Sequence, residues 1–288
     1  MKTRKKMNGY VDLHTHTTCS DGTYTPEELV QLAVKEGIQF LAITDHDEVE
    51  GIWRAKQEAE KHHNIQIISG IECSTTFSGG NRHILGYNIN PKSKSIQQYV
   101  VSHQMLRVEK IHKILEKLRN LGMLISYEEV EKYSEAGSIG RPHIAQAMLE
   151  KGYVSTIQEA FELYIGKGKP AYATVKATTP EEVIHAIKAA GGIPILAHPF
   201  QMKLSIEETF KEIERLIAIG LEGVEIIYPE HTNEQNYQLI LFAGNHNLYV
   251  TVGSDFHGKN KENQIGCCFQ NETKVNWNIY SGLGRTIF

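Results

Sequence analysis

"TPEEVIHAIKAAGGIPILAHP", residues 179–199, runs through a helix, a strand and a candidate ligand in that order. Thr179 stands before a proline and two glutamates, the signature of a capped helix start, and the glycine pair at 191–192 stops the helix. The apolar, β-branched run that follows reads as a buried strand, and it ends at His198. The same order recurs. "TPEELVQLAVKEG" (25–37) leads into "FLAITDHD" (40–47), and "SIEETFKEIERLIAIG" (205–220) leads into "GVEII" (223–227). "IQIISGIECS" (65–74), "RHILGYNI" (82–89) and "LYVTVGSDFHG" (248–258) read as further strands. Repeated alternation of this kind predicts an α/β fold with a mostly parallel sheet or barrel, whose functional groups gather at the carboxyl ends of the strands.

Residues 95–170 break the rhythm. "SIQQYVVSHQMLRVEKIHKILEKLRNLG" places Val108, Ile111, Leu115, Leu118 and Leu121 at near-helical spacing, and further helical stretches start at Arg141 and Ser155. The expected organisation is therefore a scaffold of residues 8–94 and 171–288 with an all-helical insert, 95–170, capping the active site. At 288 residues the chain suits one large α/β domain carrying such an insert. A net charge of −4 and a pI near 6.4 provide no basic field, so duplex DNA is not an expected partner. The basic start "MKTRKKMNGY" is not followed by the apolar stretch of a signal peptide, and no run approaches the roughly 20 apolar residues of a membrane span. The four cysteines lack CxxC spacing and read as thiols of a reducing compartment, which makes a cytoplasmic protein the expectation.

The histidines divide by position. In "YVDLHTHTTCSDG" (10–22), His14 and His16 share one side of a strand and can aim two imidazoles at one point, with Asp21 following. His46 ends "TDHD", Glu72 ends "ISGIE", His83 lies in "NRHILGY", His198 ends "ILAHP", and Asp255 and His257 end "VGSDFHG". Six segments thus bring nine nitrogen or oxygen donors to strand ends, more than one tetrahedral ion can use. Such donors without thiolate suit Mn, Fe or Zn, and a cluster of two or three ions would support phosphoester hydrolysis by a bridging hydroxide. His62, His63, His103, His112, His185, His231 and His246 fall in helices or polar stretches and read as solvated or locally hydrogen-bonded rings. Cys73 neighbours Glu72 on a strand and should turn to the opposite face, so it is read, with Cys19, as a small buried apolar group.

"DLHTHTTCSDG", "TDHD", "GIE", "HILGY", "AHP" and "SDFHG" together resemble the PHP family, the polymerase and histidinol phosphatase superfamily, over nearly all of Tyr10–Gly258. The resemblance implies a distorted (β/α)7 barrel with three divalent ions, Mn foremost. One would sit on His14, His16, Glu72 and Asp255, a second on Glu72, His83 and His198, and a third on Asp21, His46 and His257. Asp47 and His198 are the candidate catalytic side chains; either Asp47 or a metal-bound water would protonate the leaving oxygen, and the sequence does not choose between them.

The stretch "SIGRPHIAQAMLEKGYVSTIQEAFELYIGKGKPAY" (138–172) is similar to the PHP subgroup of nucleoside 3′,5′-bisphosphate phosphatases and 5′-to-3′ exoribonucleases. That similarity implies a substrate that is a small phosphorylated nucleotide or a short 5′-phosphorylated RNA, with AMP or L-histidinol phosphate as alternatives. A non-catalytic module serving nucleic acid or a polymerase would be expected to lack ligands, and all nine positions are filled. Arg141 and His143 flank Pro142 at a helix start, where unpaired N–H groups favour an anion. Lys167 and Lys169 lie in the basic loop "GKGKP". All four are candidate phosphate-binding residues, and none of them bears on oligomeric state.

Overall fold

The computed structural model describes residues 9–77, 80–133, 139–176, 178–269 and 273–288; the basic N-terminal residues 1–8 lie outside the described residues. The fold is mixed α/β, and its contacts divide into two compact units, Met1–Val100 with Thr178–Phe288, and Val101–Ala177.

In the first unit the strands are β1 (Tyr10–Asp12), β2 (Ile38–Ile43), β3 (Gln66–Phe77), β4 (Gly80–Tyr87), β5 (Ile193–Leu196), β6 (Gly223–Ile227) and β7 (Tyr249–Val252). They form one seven-stranded sheet in chain order. β1, β2 and β3 are parallel, and so are β5, β6 and β7, but β4 runs antiparallel to both its neighbours. That departs from the uniform pattern of parallel crossovers, and the reason is length. Only two residues separate β3 from β4, whereas a parallel connection needs roughly a dozen. Beyond the end strands, Leu13 N donates to Val252 O at 3.0 Å, and Thr15 and Phe256 form an isolated parallel bridge.

Helices α1 (Pro26–Lys35) and α2 (Glu50–Ala59) flank the first strands. Thr25 caps α1 through a reciprocal pair in which Thr25 Oγ1 accepts from Glu28 N and the Glu28 carboxylate accepts from Thr25 N. The same box opens α7 (Pro180–Ala189) at Thr179, α8 (Ile206–Ala218) at Ser205 and α9 (Asn233–Asn245) at Thr232. A small hairpin, β8 (Cys267–Phe269) with β9 (Thr273–Lys274), and α10 (Trp277–Gly282) complete the unit. Its core is made of strand side chains such as Leu41, Ile43, Ile71, Leu85, Ile195 and Val224, together with the inner faces of the helices, among them Leu29, Ile52 and Ile187.

In the second unit every described element is helical. α3 (Lys94–Asn120) runs into it from the first unit, and α4 (Tyr127–Glu131), α5 (Arg141–Glu150) and α6 (Ile157–Ala160) follow, the last continuing as one π-helical turn, Phe161–Ile165. Ile111, Ile114, Leu118, Ile144, Met148 and Ile165 form a separate apolar core. Among the described residues no helix is long and apolar enough to cross a membrane.

Candidate metal centre

The nine strand-end donors come together in the first unit, and Glu72 is their hub. It is fully buried just beyond the parallel part of β3, where its backbone also bridges to His46. One carboxylate oxygen, Oε2, lies 3.2 Å from His14 Nε2, 3.2 Å from His16 Nε2 and 3.0 Å from His46 Nδ1. The other, Oε1, lies 2.8 Å from His83 Nδ1 and 3.0 Å from His198 Nε2. Asp255 Oδ1 faces the same region, 3.2 Å from His16 Nε2 and 3.5 Å from His14 Nε2. Its Oδ2 is taken by the Tyr228 hydroxyl at 2.9 Å and the Lys261 ammonium at 2.6 Å. Asp21, the most exposed member, is 3.2 Å from His257 Nε2 and 3.7 Å from His16 Nδ1 through Oδ1, and its Oδ2 is 3.9 Å from His46 Nε2.

Three groupings of ligand-type atoms follow: His14, His16, Glu72 and Asp255; His16, Asp21, His46 and His257; and His46, Glu72 and His83. His16 belongs to two of them, one ring nitrogen turned to each. His198 is close to Glu72 and His83 without joining the third grouping.

Divalent ions fit this donor set on two observations. His14 Nε2, both nitrogens of His16, His46 Nδ1, Glu72 Oε2 and His257 Nε2 are buried and make no hydrogen bond, although such atoms are almost always paired in a folded protein. The charges are also matched in a way that calls for cations. Burial disfavours the ionised form of Glu72, yet the surrounding imidazoles hold it well below the usual carboxylate range, and Asp255 behaves alike. Burial likewise pulls His16 down, but the facing carboxylates of Asp255 and Glu72 push it up to about 9, while burial takes His46 down to about 3. Buried carboxylates here recruit whatever positive charge is available, protons or metal.

The backbone is shaped for the site as well. Asp47, His198 and Asp255 occupy left-handed conformations at φ 55, 27 and 53°, rare for non-glycine residues and costing roughly 1–3 kcal/mol each. Both Asp47 oxygens are engaged: Oδ1 accepts from Ser74 N at 2.8 Å and Tyr99 Oη at 2.5 Å, and Oδ2 from Ser74 Oγ at 2.9 Å.

Three acidic residues that strand-end reasoning passes over hold the site in place. Glu225, inside β6, meets His14 Nδ1 at 3.0 Å and accepts from His198 N at 2.8 Å. Asp45 accepts from Thr17 N and Ser20 Oγ, both at 2.7 Å, and fixes the loop leading to Asp21. Asp12 accepts from Ser254 N and Oγ beside Asp255. Their signal in the sequence is a lone carboxylate within or directly after an apolar strand. Cys73 is buried in the core and Cys19 is buried beside the ligand loop; burial pushes both thiols up, Cys19 to about 11, so neither is poised as a thiolate.

In the second unit, Arg141 and His143 occupy the first turn of α5. The Arg141 guanidinium lies 5.7 Å from the Phe161 ring centre and 5.8 Å from that of Tyr172, and Nη1 donates to Ile165 O at 3.5 Å. His143 Nδ1 accepts from Gly140 N at 3.0 Å, and burial lowers its pKa, with the Arg107 charge adding to the effect. Lys167 and Lys169 are exposed in the turn after the π-helical segment. His231, read from sequence as a polar-stretch ring, is buried with Nδ1 against Ile226 O at 2.9 Å.

Comparison with known proteins matches a family model described as PHP domain to residues 12–191. The chain is 35% identical over 246 residues to a 5′-3′ exoribonuclease of Haemophilus influenzae, covering 85% of this chain and 89% of the relative. It is 30% identical over 252 residues to a 3′,5′-nucleoside bisphosphate phosphatase of Chromobacterium violaceum, covering 86% and 87%. A solved structure from Bifidobacterium adolescentis, assigned as a metal-dependent phosphoesterase, superposes with a TM-score of 0.77 at 30% identity over 96% of this chain and 97% of that one.

Proposed function

The chain belongs to the PHP family, and on that premise we propose that it is a metal-dependent phosphoesterase acting on phosphorylated nucleotides. Its substrates are nucleoside 3′,5′-bisphosphates or short 5′-phosphorylated RNA, from which it releases 5′-nucleotides. The observation that carries this reading is Glu72, one buried carboxylate with five imidazoles around its two oxygens. The relatives named for exoribonuclease and bisphosphate phosphatase activity support the substrate class.

His14, His16, Glu72 and Asp255 would hold one ion, Glu72, His83 and His198 a second, and Asp21, His46 and His257 a third. Mn²⁺ suits this nitrogen and oxygen set, as do Fe and Zn. Held by these residues, divalent ions would supply a water acidic enough to act as nucleophile near neutral pH and positive charge for the phosphoryl oxygens. The side chains supply the geometry. Tyr228 and Lys261 hold one oxygen of Asp255, which fixes the direction of the other. Asp47, saturated by Ser74 and Tyr99, is better suited to tying the end of β2 to β3 than to donating a proton. The bonds from Leu13 N to Val252 O, from His16 N to Phe256 O and from Phe256 N to His14 O support closure of the sheet as a distorted (β/α)7 barrel.

For the helical residues 95–170 we propose substrate recognition. Arg141, oriented by two rings and a carbonyl, and His143, with Nε2 left for a ligand, would take a second phosphate, and Lys167 and Lys169 would add positive charge. The test is phosphate release from a nucleoside 3′,5′-bisphosphate, and degradation of 5′-phosphorylated against 5′-hydroxyl RNA, after chelation and after reloading with Mn²⁺. Turnover restored by the metal and dependent on the 5′-phosphate is expected. Turnover indifferent to chelation would overturn the metal reading, and a preference for AMP or histidinol phosphate would overturn the substrate class.

A further inference from the structure

We infer that Glu225 is a positioning residue of the metal centre, its single carboxylate setting the ring of His14 and clamping the main chain of His198. The inference rests on the reading of the cluster as a metal site. Glu225 sits in the middle of β6 with no exposed surface, and its strand neighbours Val224 and Ile226 belong to the apolar core on the other side. An acidic side chain at such a place is costly unless both oxygens are used. Both are: Oε1 lies 3.0 Å from His14 Nδ1, and Oε2 accepts from His198 N at 2.8 Å.

The first contact decides which nitrogen of His14 is free. A carboxylate can only accept, so Nδ1 carries the proton and Nε2 is the nitrogen left to face an ion. That nitrogen makes no hydrogen bond and lies 3.2 Å from Glu72 and 3.5 Å from Asp255. The second contact secures an amide at φ 27°, a conformation the chain would otherwise relax from. One carboxylate thus links a ligand after β1 to a ligand after β5, and couples the two groups that share Glu72.

An independent feature shows that the room for this arrangement is built in. A Cβ at Gly253 would fall 2.2 Å from His14 Cβ and 2.8 Å from Glu225 Oε1, so only glycine lets the two side chains meet there. The role calls for two acceptors at one position. Glutamine keeps the shape but offers one acceptor and one donor, so it must either oppose the His198 amide donor to donor or force His14 into the tautomer protonated at Nε2.

The test combines three measurements. Nitrogen-15 NMR of the wild type loaded with diamagnetic Zn²⁺ should find His14 protonated at Nδ1; protonation at Nε2 overturns the inference. Calorimetric Mn²⁺ titration of folded Glu225→Gln should show affinity lowered roughly 10- to 100-fold, as for other groups that orient a ligand from behind. Unchanged affinity and stoichiometry overturn the inference. Glu225→Asp, which keeps two acceptors on a shorter arm, should lie between the two, and it carries the titration if the glutamine variant does not fold; a wild-type affinity in that case also overturns the inference. The metal reading fails separately, by absence of Mn²⁺ binding in the wild type.

Discussion

Arg141→Ala should separate recognition of a second phosphate from hydrolysis of the first. The guanidinium is held by weak local contacts, two ring faces near 5.8 Å and one carbonyl at 3.5 Å. Cation–π contacts of this kind contribute about 0.5–1 kcal/mol each, so the variant should lose about 1–2 kcal/mol of stability and stay folded. A charge-assisted, bidentate contact to phosphate is worth more. Its removal should lower kcat/KM on a nucleoside 3′,5′-bisphosphate roughly 100-fold, or about 2.7 kcal/mol of transition-state stabilisation. The assay compares that substrate with p-nitrophenyl phosphate, which has no second phosphate, at matched metal content and with thermal unfolding measured alongside. The small ester should be hydrolysed almost as before. Equal losses on both substrates would refute the argument and give Arg141 a structural role or a place at the reacting phosphate.

Other perturbations probe the interior of the site. Cys73→Ser should lose about 1–3 kcal/mol of stability by burying a hydroxyl in the core yet keep its turnover; a folded, metal-loaded variant without turnover would point to a thiol route. Gly253→Ala should be destabilised by about 1–3 kcal/mol and bind metal less tightly, because the new methyl meets His14 backbone and Cβ atoms that cannot swing away; a stable variant with wild-type metal content would contradict the packing. In chelated protein, His16 at about 9 lies above its ordinary 6.5, so the stability it contributes is complete below 6.5 and is lost as pH rises through 9. Urea unfolding in the presence of chelator should therefore show falling stability between pH 6.5 and 9.5, and a flat or rising profile would contradict the ion pairing.

Most candidate ligands were legible because they end an apolar run, and the carboxyl ends of strands in an α/β sheet converge whatever the details of the helices; His83 instead opens the run of the antiparallel β4. His14, His46, His198 and Asp255 could be gathered in this way without coordinates. Glu225 could not, because its meaning depends on a partner after β1 that is remote in sequence and on a glycine after β7 that leaves space for both. Asp45 was hidden by its neighbour, since "TDHD" draws attention to the histidine while Asp45 works backwards on Thr17 and Ser20. The antiparallel β4 was foreshadowed by the short stretch between the runs at 65–74 and 82–89, too short for a parallel crossover, and the observed separation after β3 is only two residues. In the helical unit, the start of α5 at Arg141 was readable from Gly140 and Pro142, but the rings that flank the guanidinium, Phe161 and Tyr172, come from segments with no spacing relation to it.

If these strand ends form a site for several divalent ions, elemental analysis of Mn²⁺-loaded protein after removal of free metal will count them. A multi-ion site should give more than one ion per chain, rising to three, and a specific loss of one ion in Asp21→Asn, where a neutral amide replaces the exposed carboxylate between His257, His16 and His46. Occupancy that never exceeds one ion in folded protein, or an Asp21→Asn variant with undiminished metal content, would contradict it.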